Sequence, residues 1–133
     1  MDERIKKTVA NAAIIIVLSL LFFIAGTWWR MQSQFQLGEA AFTMGDFTGA
    51  LAGYESAIHM YLPFHPTIEK AAQKLWQLGE TAERQGDVNR ALIAYRALRS
   101  AFYADRWLAQ PGKDWIVRCD QKIAGLVPLQ RER

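Results

Sequence analysis

The sequence predicts an all-α protein in which an N-terminal transmembrane helix continues into a small helical-repeat domain. Three observations carry that expectation. Thr8 to Trp29 is a long apolar run without a charged residue. Beyond it, apolar residues recur at helical spacing between glycine and proline stops. No stretch of useful length alternates with period two, so no sheet is expected.

The run reads TVANAAIIIVLSLLFFIAGTWW. At about 1.5 Å per residue it spans roughly 30 Å or slightly more, the hydrocarbon thickness of a bilayer. A soluble core helix of this length would keep a polar stripe, and this one has none. Arg4, Lys6 and Lys7 stand before it and Arg30 closes it, with Trp28 and Trp29 placed where an aromatic belt meets headgroups. The competing reading is a cleaved signal peptide. The run is long for one, and the small-residue site near Ala25 and Gly26 is followed by two tryptophans. A retained anchor is therefore expected.

The chain has 133 residues and a net charge of +3. Beyond the anchor roughly a hundred residues remain, enough for one small domain. Only three of the 16 Lys and Arg residues and two of the 13 Asp and Glu precede the run, so the domain is nearly neutral. No basic block with interleaved aromatics points to nucleic acid. Three positive charges on the short N-terminal tail, against Arg30 alone near the other end, place the N-terminus in the cytoplasm. For a bacterial chain the domain would then lie in the periplasm, held by the inner membrane. The single cysteine, Cys119, can form no internal disulfide and reads as a small buried hydrophobe.

Taken in order, residues 1–7 form a cytoplasmic tail, 8–29 the transmembrane helix, 30–126 the helical domain and 127–133 an exposed tail. Nothing breaks the first helix between Arg30 and Met44, so one helix should run from the membrane into the domain and stop near Gly45. Gly45-Asp46 combines a residue tolerant of the left-handed C′ position with a cap for the next helix. Phe47 to Tyr61 reads as that helix. Leu62-Pro63-Phe64-His65-Pro66 reads as a loop. A third helix opens at about Thr67 and ends near Gln85, and Gly86-Asp87 repeats the stop and cap. A fourth runs from about Val88 to Ala104. Gln110-Pro111-Gly112 turns into a fifth, from about Asp114 to Ala124, ahead of Pro128.

The chain is self-similar. LGEAAFTMGDFTGALAGYESAI begins at Leu37 and LGETAERQGDVNRALIAYRALR at Leu78, a step of 41 residues. Shared are the L-G-E start, Ala41 and Ala82, the G-D turns, Ala50 and Ala91, and Tyr54 and Tyr95. This pattern, over about residues 31–102, resembles the tetratricopeptide repeat (TPR) family. In physical terms Gly38, Gly79 and the alanines let paired helices approach closely, and the tyrosines fill the space between repeats. The step exceeds the family's usual 34 residues, and the closing proline lacks a clean counterpart, so a longer loop and third helix are expected around MYLPFHPTIE. Two repeats need a neighbour to bury their face, and the fifth helix is the natural cap.

No catalytic constellation is present: no CxxC, HExxH, Walker-type loop, GxSxG or haem-attachment sequence. His59 and His65 do not share a helical face. The sequence therefore predicts no enzyme, no cofactor, no metal, no nucleic-acid partner and no small-molecule substrate. What remains is surface for proteins. In TPR proteins the first helix of each repeat lines a groove; the resemblance puts Phe35, Glu39, Phe42 and Thr43 there from one repeat and Trp76, Glu80, Glu83 and Arg84 from the other. The Lys and Asn clamp of the carboxylate-binding members is missing, so an apolar or basic helix suits the groove better. These aromatics could equally pack within the domain. Along the first helix, Ala12, Ser19, Gly26, Ser33 and Ala40 recur every seven residues, a spacing that suits close packing on a neighbouring membrane helix. The resemblance implies a scaffold or accessory subunit of an inner-membrane complex, such as an energy-transducing or translocation machine, with other membrane subunits and the lipid bilayer as partners. The alternative is a periplasmic chaperone or secretion adaptor that binds clients transiently.

Overall fold

A computed structural model describes residues 2–60, 65–104 and 112–132. Among the described residues there are five helices and no strand: α1 (Glu3–Thr43), α2 (Phe47–His59), α3 (Pro66–Arg84), α4 (Val88–Ala104) and α5 (Lys113–Arg131). Tyr61 to Phe64 and the Gln110-Pro111 part of the expected turns lie outside the described residues.

Helix α1 is one unbroken helix of 41 residues, about 60 Å long. No other part of the described chain covers its first 24 residues, Glu3 to Gly26, although from Thr8 onward they are strongly apolar. Thr8 and Thr27 donate their hydroxyls to the carbonyls of Arg4 and Phe23, 2.9 Å in each case. Neither therefore offers a free donor to an apolar surrounding. This helix is long and apolar enough to cross a membrane. Its last third is different. Met31, Gly38 and Ala41 are buried against the domain.

The two glycine turns are built by the same bonds. At the first, Asp46 N donates to Ala41 O at 2.8 Å and Gly45 N to Phe42 O at 3.1 Å; at the second, Asp87 N donates to Ala82 O at 2.9 Å and Gly86 N to Glu83 O at 3.0 Å. Both glycines hold a positive φ, 74° and 76°, which a side chain would strain. Asp46 and Asp87 then accept from the amides of Gly49 and Arg90 and cap the next helix. Each turn folds a helix back on its predecessor, giving hairpins α1–α2 and α3–α4.

Close approach holds each hairpin. A Cβ on Gly53 would lie 2.5 Å from the Cα of Gly38, so α1 and α2 meet backbone to backbone. Beside this crossing the ring of Tyr54 lies over Gly38, and in the α3–α4 hairpin the ring of Tyr95 lies over Gly79. A single core runs from Met31 through Tyr54, Ile58, Leu75 and Leu98 to Phe102 and Cys119. A smaller cluster of Ala82, Val88, Leu92, Tyr95 and Leu126 joins α3, α4 and α5.

Three boundaries differ from the sequence reading: α2 ends at His59 rather than Tyr61, with Met60 as its C-cap, and α3 and α5 also depart from it. Helix α3 starts at Pro66, with His65 Nδ1 accepting from Thr67 N at 3.2 Å as its cap. Proline suits this first position because its missing amide would have no partner there. Helix α5 is longer than expected and runs through Pro128, so the exposed tail assigned to 127–133 is helical as far as Arg131. Burial of Leu126 and a hydrogen bond of 2.9 Å from Gln130 Nε2 to Asn89 Oδ1 hold this end on the domain.

Candidate functional site

The groove residues expected from the sequence fall into two separate places. On α1, Phe35 is half-buried with its ring 5.6 Å from that of Tyr54. Glu39 accepts from the Tyr54 hydroxyl at 2.5 Å and lies 3.4 Å from Lys74 Nζ. Phe42 is 37 % exposed, with Lys74 Nζ 5.0 Å from its ring centre. The Thr43 hydroxyl turns back to Glu39 O. On α3, helix α5 reaches the groove-side residues. The ring of Trp76 is 4.9 Å from Tyr95 and 6.0 Å from Trp115, and Arg118 lies 4.5 Å above it. Glu83 accepts from the Tyr95 hydroxyl at 2.9 Å and from Lys122 Nζ at 2.8 Å. Glu80 is half-buried and Arg84 exposed.

These contacts repeat one design. A tyrosine from the second helix of a hairpin donates to a carboxylate on the first, and a lysine from the following helix pairs with that carboxylate. Tyr54, Glu39 and Lys74 do this across α1, α2 and α3; Tyr95, Glu83 and Lys122 do it across α3, α4 and α5. The carboxylates are not at equivalent positions of the repeat. Glu83 stands in the register of Phe42, which cannot accept, and so takes the role that Glu39 plays one turn earlier. Burial, then the carboxylate bond and its negative charge, push both tyrosine hydroxyls well above their ordinary value. Both stay protonated donors.

Two clefts flank this frame. One, of about 220 Å³, lies at the glycine-turn end between the hairpins, with Phe42, Phe47, Leu78 and Ala82 as apolar walls and Asp46 and Arg90 at the rim. The other, of about 290 Å³ and wider open, lies between α3 and α5 around Trp76, Glu80, Trp115 and Arg118. In the second, Trp115 Nε1 donates to Glu69 Oε2 at 3.1 Å and Arg118 lies over both indoles.

Cys119 is fully buried, and burial, with Asp120 beside it, pushes the thiol up to about 12 against the opposing charges of Arg118 and Arg99. It is a protonated packing residue at neutral pH. His59 lies 3.5 Å from Glu55, while His65 caps α3, so the two histidines serve different ends. Among the described residues no group of three His, Cys, Asp or Glu could hold a metal ion.

The small residues at the seven-residue step of α1 face outward. Ala12, Ser19, Gly26, Ser33 and Ala40 are exposed, and a Cβ on Gly26 would meet nothing within 4 Å. The sequence reading did not anticipate Lys74, Lys122, Trp115 or Arg118. The available signal was the pair of tyrosines, since a buried hydroxyl needs a partner. Comparison with protein-family models, with curated proteins and with solved structures found no match.

Proposed function

We propose that this protein is a membrane-anchored, TPR-like scaffold subunit that joins other membrane proteins into one complex and carries out no chemistry of its own. The observation that carries the reading is α1. Its apolar first part is bare along its whole length, and its last part is a wall of the helical domain. An apolar surface of that size calls for lipid or partner helices. The outward stripe Ala12, Ser19, Gly26, Ser33 and Ala40 gives a neighbouring helix a close approach and leads from the span to the domain.

The TPR-like reading is supported by the matched L-G-E and G-D segments and by the same turn bonds at Gly45 and Gly86. On this reading α5 caps the second repeat and occupies the groove beside Trp76 and Glu83, leaving Arg84 exposed. Phe42 and its cleft then remain for a partner's apolar side chain, with Phe35 and Glu39 further along α1 held on Tyr54. The charge balance of the tail supports an N-terminus in the cytoplasm and a periplasmic domain on a bacterial inner membrane. Alkaline phosphatase fused after Arg133 should then be active, and an inactive fusion reverses this topology.

The test of the scaffold reading is purification from native membranes in mild detergent. The same few partners should come away at a fixed ratio. Gly26→Leu and Ser19→Leu should lower that yield, and Leu21→Ala should not. Many clients at low occupancy would instead favour a transient chaperone, and equal retention of all three variants would remove the stripe as the interface.

A further inference from the structure

The domain has no stalk. Its first buried residue, Met31, is fully covered and follows Trp29 by two positions on the same helix. Two residues of helix rise about 3 Å. The headgroup layer on each side of a bilayer is roughly 5–8 Å thick, from the difference between total and hydrocarbon thickness. With Trp28 and Trp29 at the interface, Met31 is therefore still within that layer. A linker of ten extended residues would have held the domain some 30 Å away.

The end of the domain at that level can be identified by contacts. The Trp28 ring lies 6.3 Å from His65, which caps α3. The bond of 3.1 Å between Trp115 and Glu69 sets the first turn of α5 beside the first turn of α3. Helix α2 runs back from the Gly45 turn, so exposed His59 ends at the same level. The chemistry there suits phosphate. Arg30 is exposed. His65 accepts through Nδ1, which leaves Nε2 as the ring's donor. Lys113, exposed, opens α5 on this end.

We propose that the anchor-side end of the domain, with Trp28, Arg30, His65 and Lys113, sits in the phospholipid headgroup layer of the bilayer that α1 crosses and engages lipid phosphates. This rests on the reading of α1 as a membrane span. The far end, with Met44 and the Phe42 cleft, then stands about 20 Å beyond Met31 along α1. The bilayer fixes the domain's height and tilt, and the cleft faces partners at a set distance from the membrane.

The test uses the full chain in phospholipid vesicles on a Cys119→Ala background whose helicity is checked by circular dichroism. Fluorophores are placed singly at Phe22→Cys, His59→Cys, Asp114→Cys and Met44→Cys, all exposed positions. Nitroxide on the lipid acyl chain should quench the label at 22. Nitroxide on the headgroup should quench labels at 59 and 114 several times more than at 44. Quenching at 22 with 59 and 114 no more affected than 44 overturns the headgroup contact and leaves the span reading intact. No acyl-chain quenching at 22 overturns both.

Discussion

Gly53 sets the distance between α1 and α2, because a Cβ there would sit 2.5 Å from both the Cα and the N of Gly38. Backbone atoms cannot rotate away, so Gly53→Ala must push the helices apart. The expected cost is about 1–3 kcal/mol, read as a lower melting temperature by circular dichroism in detergent. Gly26→Ala meets open space and should leave the domain's melting unchanged. The buried tyrosines give a second expectation. Their hydroxyls are raised above the ordinary 10.0 in the folded state, so the folded chain holds protons there that the unfolded chain loses. Their contribution is fully present below pH 10 and is lost as pH rises above it. Cys119, raised from 9.0 to about 12, acts in the same direction from a slightly lower pH. A Tyr54→Phe, Tyr95→Phe double variant should therefore lose less stability than the parent between pH 9 and 11; equal slopes would remove this account. The repeat pattern singled out these tyrosines but set them between repeats, whereas each lies over the glycine of its own hairpin. Their carboxylate partners were not legible, because a repeat pattern points to Glu80 where geometry selects Glu83.

Among the elements, the hairpins were the most legible. Gly45-Asp46 and Gly86-Asp87 fix a local conformation by their own chemistry, and the structure stops and restarts helices there. The continuity of α1 was legible for the complementary reason, since nothing between Arg30 and Met44 interrupts it. Helix α5 was read too short because Pro128 was weighed by its local effect. The carbonyl it leaves unpaired belongs to exposed Ala124, where water can serve it, while Leu126 and half-buried Val127 gain cover on α3 and α4. Tertiary burial outweighs the local penalty. Leu126→Ala should then destabilise the domain by about 2–5 kcal/mol, measured by urea unfolding. An unaltered transition would return the end of α5 to the solvent.

Across the described residues the larger core joins the first helix to the last, since Met31 of α1 belongs to the same cluster as Cys119 of α5. The two groove aromatics should accordingly behave differently. Phe42 is an exposed wall of a cleft, and Phe42→Ala should weaken retention of partners by about 2 kcal/mol while the melting temperature holds. Trp76 lies among Tyr95, Trp115 and Arg118, and Trp76→Ala should unfold the domain at lower temperature, as loss of a packed aromatic does. The sequence placed both in one groove: it offered the fifth helix as a cap, but that Trp115 and Arg118 reach Trp76 across some 40 residues leaves no local signature. The most direct test of the scaffold claim is photo-crosslinking in native membranes, with a photoreactive residue in place of Ser33, of Phe42 and of exposed Val117 on α5 in turn. A fixed subunit should give the same discrete adducts from 33 and 42, and none from 117. A broad ladder of adducts, or none from 33 and 42, would contradict it.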